Sequence, residues 1–446
     1  MLSRNVWGFL VLSACAGAQS AGVSLSLKQA VELALAPDGS TRVQLARQLV
    51  RQAEQRARQS RAALLPYLEG TIAQQNQTRN LAAFGIRIEA PIPGFRVPEL
   101  VGPFSTFDAR AAVRQPVLDL AAWRRHQAGR ESARAAAAEE EAVRDAVARE
   151  VAALYVAWLR AEAHREAARA NVRLAEELLH LARNQKAAGT GTGIEVTRAE
   201  VQLAHERQQL LAAEMEARGS RLQLLRAIGL SLEAAVTPAG SLEFAPSAQE
   251  DPAALVETAL RVRADYRAQQ LREESARLAA SAAALERLPS VTAFADYGSL
   301  GTSLHNALPT RVYGLALRLP LFDGGLREAR RQEGRSLYEQ ERVRTADLRR
   351  QIELEIRLAM DAVTTAREQV QVAEEGLEQT RREMEQAERR YRAGVTSSVE
   401  VADAQTRLAR ARDNRVAALF LYQRARLDLA YAAGRIRQFI EEEKLP

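Results

Sequence analysis

The sequence predicts a mostly helical protein with a minor β component, built from two copies of one unit. Three observations predict it. First, of 446 residues only 5 % are aromatic, while Ala, Leu, Glu, Arg and Gln dominate, a composition of long helices and coiled coils. Second, apolar residues recur every three and four positions over very long stretches. Third, short motifs return in the same order in both halves of the chain. The balance of 62 Lys plus Arg against 56 Asp plus Glu leaves +6, spread over interspersed charges of both signs. That is a solvated surface and not a nucleic-acid footprint. A single cysteine excludes a disulfide framework and a Cys-based zinc site.

Residues 1–18 read as a secretory signal. Arg4 precedes a short apolar stretch, Val6 to Leu12, followed by small residues. Two processing sites compete. Ala16-Gly17-Ala18 would release a chain beginning at Gln19; Leu12-Ser13-Ala14-Cys15 resembles a lipobox that would leave Cys15 lipidated. No later segment has 18 consecutive apolar residues, so a membrane crossing would have to be made by a closed barrel.

The first copy spans 23–236 and the second 253–435, with a Pro- and Gly-containing linker at 237–252 and a tail at 436–446. Val31-Glu32-Leu33-Ala34-Leu35 recurs as Val256-Glu257-Thr258-Ala259-Leu260. Gln115-Pro116-Val117-Leu118-Asp119 recurs as Leu319-Pro320-Leu321-Phe322-Asp323, and Ala188-Gly189 as Ala393-Gly394. Ala227-Ile228-Gly229 and Ala432-Ala433-Gly434 close the copies. The first copy carries roughly 19 extra residues between Pro66 and Pro116.

Each copy opens with a helix and continues into a strand pair, expected at about 66–78 and 104–116, then 289–299 and 310–320. Tyr313, Leu315, Leu317 and Leu319 alternate with Val312, Gly314, Ala316 and Arg318; Phe107 to Arg114 alternates likewise. Period-two segments of about ten residues are the weak signature of membrane strands. Four cannot close a barrel, so subunits would have to share one.

Helical hairpins follow at 117–235 and 321–434. In the second, Ile352, Ile356, Ala359, Val363, Ala366, Val370, Ala373, Leu377, Thr380, Met384, Ala387 and Tyr391 form a seam of period 3.5. In the first, Val147, Val151, Leu154, Trp158, Ala161, Ala168, Val172, Ala175, Leu179 and Ala182 do the same, interrupted by Arg165. About 72 residues separate Pro116 from Gly189, roughly 108 Å of helix. Helices this long build a rod or tube.

These motifs together resemble the TolC family of outer-membrane efflux proteins. The resemblance rests on Leu25-Ser26-Leu27-Lys28-Gln29-Ala30-Val31-Glu32-Leu33-Ala34, the Leu-Pro strand starts at Pro66 and Pro289, and Leu319-Pro320-Leu321-Phe322-Asp323-Gly324-Gly325. It is completed by Tyr391-Arg392-Ala393-Gly394 leading into Val399-Glu400-Val401-Ala402-Asp403-Ala404. It implies a homotrimer in the outer membrane: a long α-helical coiled-coil barrel in the periplasm, continued by one transmembrane β-barrel of twelve strands, four per protomer. It also implies a passive exit duct for efflux or secretion, not an enzyme, partnered by a periplasmic adaptor and an inner-membrane pump. No cofactor is implied. The competing reading is a periplasmic coiled-coil adaptor or scaffold that never enters the membrane, against which two full hairpins and four alternating segments argue.

The resemblance further implies a periplasmic gate at Glu400 and Asp403, three residues apart on one helix face. A trimer would place six such carboxylates around the pore, a cation-sensitive ring. Tyr391 matches a position whose hydroxyl helps hold the closed state. The basic residue near the family's turn is absent, with Thr396 in its place. The turns Gly189-Thr190-Gly191-Thr192-Gly193 and Gly394-Val395-Thr396 would be the adaptor-docking tips; read locally, the same residues simply end one helix and cap the next.

Other chemistry finds no support. Gly189-x-Gly191-x-Gly193 follows a helix rather than a strand and is not a phosphate loop. The five histidines show no i,i+4 pairing, and Glu177-x-x-His180 is half of a di-iron motif without its second copy. Nothing resembles a nucleophile elbow.

Overall fold

The computed structural model describes residues 23–85, 99–245 and 250–442. The first copy runs β1 (Val23–Leu25), α1 (Leu27–Leu35), α2 (Thr41–Ala62), β2 (Tyr67–Asn80), β3 (Leu100–Leu118), α3 (Leu120–Ala187), α4 (Gly193–Ile228) and β4 (Val236–Pro238). The second runs α5 (Pro252–Val262), α6 (Ala264–Leu285), β5 (Ser290–Gly301), β6 (Leu308–Arg318), α7 (Leu326–Arg392), α8 (Ser398–Ala432) and α9 (Ile436–Glu442). The chain divides into two compact units, and neither is a repeat. One takes residues up to Gln44, Arg144–Leu255 and the chain from Glu355; the other takes Leu45–Val143 and Val256–Leu354.

The second of these units holds a four-stranded antiparallel sheet, ordered β2-β3-β5-β6. Its register builds the two faces. Leu68 pairs with Val113, Val113 with Ala295, and Ala295 with Tyr313, while the adjacent row joins Glu69, Ala112, Asp296 and Val312. Side chains alternate between faces along a strand, so the register collects Leu68, Ile72, Tyr313, Leu315 and Leu317 on one side. These residues are exposed, Ile72 at 79 % and Tyr313 at 78 %. The other side carries Arg110, paired with Asp108 at 2.7 Å and Asp296 at 3.4 Å. A sheet apolar outside and charged inside is the pattern of a barrel wall between lipid and a water-filled lumen. β2 and β6 have no strand neighbour on their outer edges among the described residues.

The same device turns strand into long helix in both copies. Asp119 Oδ1 accepts from the Ala122 N–H at 2.8 Å, and Asp323 Oδ2 accepts from the Arg327 N–H at 3.1 Å. Each aspartate occupies donors that a helix start leaves open.

In the other unit the seam read from the sequence is the core. Val147, Val151, Trp158, Ala161, Ala168, Ala175, Ile356, Val370 and Met384 are buried, and Leu154 is half-buried. At the break in the seam, Arg165 pairs with Glu162 one turn back at 2.5 Å. Tyr155 and Trp158 pack edge to face with centroids 6.1 Å apart, and the Tyr155 hydroxyl donates to the Leu25 carbonyl at 3.0 Å.

Two expected boundaries are corrected. The linker at 237–252 begins inside β4, which pairs in parallel with β1, Val23 opposite Val236 and Leu25 opposite Pro238. The tail at 436–446 contains α9, held down by Ile436 and Ile440, 1 % and 2 % exposed. Three-residue strands and a seven-residue helix are too short for periodicity to show. The signal sequence and Cys15 lie outside the described residues.

Candidate functional site at the hairpin turns

Both turns belong to the unit that contains Arg144–Leu255 and the chain from Glu355. They are built alike. α3 ends as Gly189 takes φ +77°, and α7 ends as Gly394 takes φ +71°, a left-handed conformation that costs glycine little. After Gly189, the Thr190 and Gly191 N–H groups both donate to the Gln185 carbonyl at 3.0 Å; after Gly394, the Val395 N–H donates to the Arg390 carbonyl at 2.9 Å. α4 then starts with Thr192 as N-cap, and Glu195 Oε2 accepts from the Thr192 N–H at 2.8 Å. Around these turns, Met384, Ala387, Tyr391, Val401, Ala404 and Leu408 form one buried cluster against Leu174, Leu178 and Leu181 of α3. The turns are therefore closed by their own bonds, with Thr192, Gly193, Gly394 and Val395 exposed on the outside.

The two acids at the start of α8 differ in circumstance. Glu400 Oε1 accepts from Arg390 at 2.8 Å, and the Thr396 hydroxyl donates to Oε2. A cation is thus present after all, supplied across the turn by α7 instead of by the residue at 396. Asp403 is exposed and makes no ion pair or hydrogen bond among the described residues. Copy one has Glu195 where copy two has Glu400, and there the carboxylate is spent on the Thr192 cap.

Tyr391 is 5 % exposed, and its hydroxyl has no hydrogen-bond partner among the described residues. Burial, and then the charge of Glu195, push the phenol above its ordinary range. The bond between hairpins is made by its backbone, whose carbonyl accepts from Gln185 Nε2 at 3.2 Å. Beside it, Ser398 Oγ and Gln405 Nε2 are also buried without partners. The sequence reading passed over Arg390, Gln185, Ser398 and Gln405. Gln405 carried a signal: it lies seven residues from Ser398, two turns on along the same helix face, where Val401 and Leu408 are apolar. Among the described residues no group of three or more His, Cys, Asp or Glu could hold a metal, and no helix is long and apolar enough to cross a membrane.

The sequence profile of outer membrane efflux proteins matches residues 33–230 and 255–435, both copies and nearly the whole chain. The chain belongs to the outer membrane efflux protein family. Membership places it in the outer membrane. Two curated members of similar sequence, each called pyoverdine export outer membrane protein OpmQ, come from Pseudomonas putida and Pseudomonas aeruginosa. Each is 27 % identical to the chain; the alignments cover 58 % and 59 % of this chain and 54 % and 56 % of the relatives. The chain thus spans about half the length of the curated relatives it matches. The fold is shared more widely. The Campylobacter jejuni CmeC outer membrane channel superposes with a TM-score of 0.79 at 19 % identity, covering 92 % of this chain and 86 % of that one. The open state of the Neisseria gonorrhoeae MtrE outer membrane channel gives 0.76 at 16 % identity, covering 98 % of both.

Proposed function

We propose that this outer membrane efflux protein is a passive trimeric exit duct, working with an inner-membrane pump and a periplasmic adaptor. The observation that carries the reading is the sheet: four strands with one apolar and one charged face, and edges at β2 and β6 that only further strands can satisfy. The strands alternate in direction, so β6 of one copy can pair antiparallel with β2 of the next. Three copies supply twelve strands and an even-numbered barrel. The long hairpins α3–α4 and α7–α8 continue the conduit through the periplasm, and the pump supplies the energy. Pyoverdine export, in the names of the two curated relatives, makes that molecule the first cargo to test.

The gate lies at the α7–α8 turn. Asp403 is the principal acid facing the pore, and Glu400, tied to Arg390, holds the turn. Tyr391 helps hold the closed state through its backbone bond with Gln185. The turns at Gly189–Gly193 and Gly394–Thr396 receive the adaptor. The deciding experiment is fractionation of cells expressing the full chain, with the mass of the detergent-solubilised protein measured before and after boiling in SDS. An outer-membrane species about three times the chain mass, collapsing on boiling, supports the duct. A soluble periplasmic monomer or dimer refutes it.

A further inference from the structure

One charge stands on the apolar side of the sheet. The register sets Arg311 opposite Tyr297, on the face where Tyr313 lies opposite Ala295 and Leu317 opposite Val291. Arg311 is exposed and makes no ion pair or hydrogen bond among the described residues. The four strands hold three acids, Glu69, Asp108 and Asp296. The register turns all three to the opposite face, where Asp108 and Asp296 pair with Arg110. The β5–β6 turn at 302–307 contains no acidic residue.

A neighbouring copy supplies no counterion from its edge strand. In the proposed barrel β6 meets β2 of the next chain, and the one acid of that strand is Glu69. Any register that keeps the apolar faces together sends it to the lumen side. A cation on a face that meets lipid, with no carboxylate beside it, is answered by the lipid.

The position selects which part of the lipid. Arg311 is six residues from Leu317, about 20 Å along the strand, at the end of the sheet away from the strand ends that lead into α3 and α7. Beyond it the face passes to Ser299 opposite Pro309 and then to the turn. The cation therefore marks the rim of the apolar band, where a charge is tolerated, and not the middle, where it is costly. Tyr297, across the strands, and Tyr313, two residues along, flank it on the same face, both exposed. Tyrosine and arginine side chains of this kind reach to the depth of the headgroups. The anion at that depth in a phosphorylated lipid is its phosphate, which a guanidinium meets with two parallel hydrogen bonds.

Resting on the duct reading, in which the long helices lie in the periplasm and this rim is the outer one, we propose that Arg311, Tyr297 and Tyr313 form a binding site for a phosphorylated glycolipid of the outer leaflet. Arg311 takes the phosphate, the tyrosine hydroxyls donate beside it, and the acyl chains lie along Leu315 and Leu317.

The test is native mass spectrometry of the purified full-length protein in detergent, titrated with bisphosphorylated lipid A. One lipid bound per chain is expected. Arg311→Gln should weaken binding about tenfold, the worth of one charge-assisted contact, while Arg318→Gln on the opposite face leaves it unchanged. Lipid A stripped of both phosphates should bind wild type as weakly as the intact lipid binds Arg311→Gln. Equal binding to wild type and Arg311→Gln overturns the site, because the lipid then coats the barrel without using the cation. Equal binding of the stripped lipid also overturns it, because the acyl chains alone are then held. The same spectra weigh the assembly. A trimer whose lipid binding ignores Arg311 overturns this site and leaves the duct standing, whereas absence of a trimer overturns the duct and the site with it.

Discussion

Gly189 and Gly229 end the two helices of the first hairpin at the same φ, +77°, yet their surroundings are opposite. A Cβ placed on Gly189 would meet nothing within 4 Å, whereas one on Gly229 would lie 2.9 Å from the Gly39 carbonyl oxygen and 3.2 Å from its carbon. Alanine at either site incurs the left-handed strain, about 1–2 kcal/mol. At 229 the Gly39 backbone must also give way. That segment is fixed by the Gly39 N–H to Ala36 carbonyl bond at 3.1 Å and the Ser40 N–H to Ala34 carbonyl bond at 2.9 Å. Disrupting one buried bond adds about 1–3 kcal/mol, so Gly229→Ala should total roughly 3–4 kcal/mol. Amide hydrogen exchange of the detergent-solubilised protein reads this locally. In Gly229→Ala, peptides covering 34–44 should lose protection by roughly a few hundredfold, since 1.4 kcal/mol is a factor of ten. In Gly189→Ala those peptides should be unchanged, with a loss of about tenfold confined to the turn. Equal protection at 34–44 in the two variants would refute the contact between Gly229 and Gly39.

Further outcomes follow from the sheet and the turns. Leu315→Arg places a cation on the lipid-facing side, which costs about 2–4 kcal/mol near the bilayer midplane, and should sharply reduce the chain recovered from outer membranes while Thr310→Arg on the opposite face is tolerated. In planar bilayers, Asp403→Asn should weaken block by a trivalent lanthanide ion more than Glu400→Gln does; the reverse order would make Glu400 the pore-facing acid. Glu400→Gln should scarcely alter thermal stability, because an exposed pair such as Arg390–Glu400 contributes about 0–1 kcal/mol. Partial desolvation holds the half-exposed Asp413 carboxyl above its ordinary range, against the opposing pull of His164 and Arg412. A raised carboxylate pKa means the folded chain favours the protonated acid, a contribution present at low pH and lost as pH rises through the folded-state value. Asp413→Asn mimics the protonated form, so its thermal midpoint should exceed that of wild type at pH 7 and converge with it under acid conditions. A variant less stable at pH 7 would show that the His164 contact, at 3.7 Å, outweighs burial.

What could be read from the sequence depended on how far each pattern extended. The seam from Ile352 to Tyr391 repeats often enough to identify buried positions residue by residue, and the Asp119 and Asp323 caps stand out because the motif occurs twice. The parallel pairing of Val23–Leu25 with Val236–Pro238 has no such help: its partners are far apart in the chain and three residues carry no period. At the α7–α8 turn, Glu400 and Asp403 were visible as a pair. Their different fates were not, because Arg390 reaches Glu400 across a turn from ten residues away, and charge pairing across a hairpin follows from geometry that helix spacing does not encode. Tyr391 was found through family resemblance, but the donor that bonds its carbonyl, Gln185, sits on the other hairpin.

The open margins at β2 and β6 bear on how the protein comes into being. A newly exported chain presents, at opposite ends of one sheet, two rows of unanswered amide and carbonyl groups bordered by exposed leucine and tyrosine. Any strand can answer them, including the wrong one. In the proposed trimer, closure demands that each margin wait for its counterpart on a sister chain, so the interval between export and ring closure is a hazardous one. Dilution would prolong that interval, and crowding would multiply errors within it.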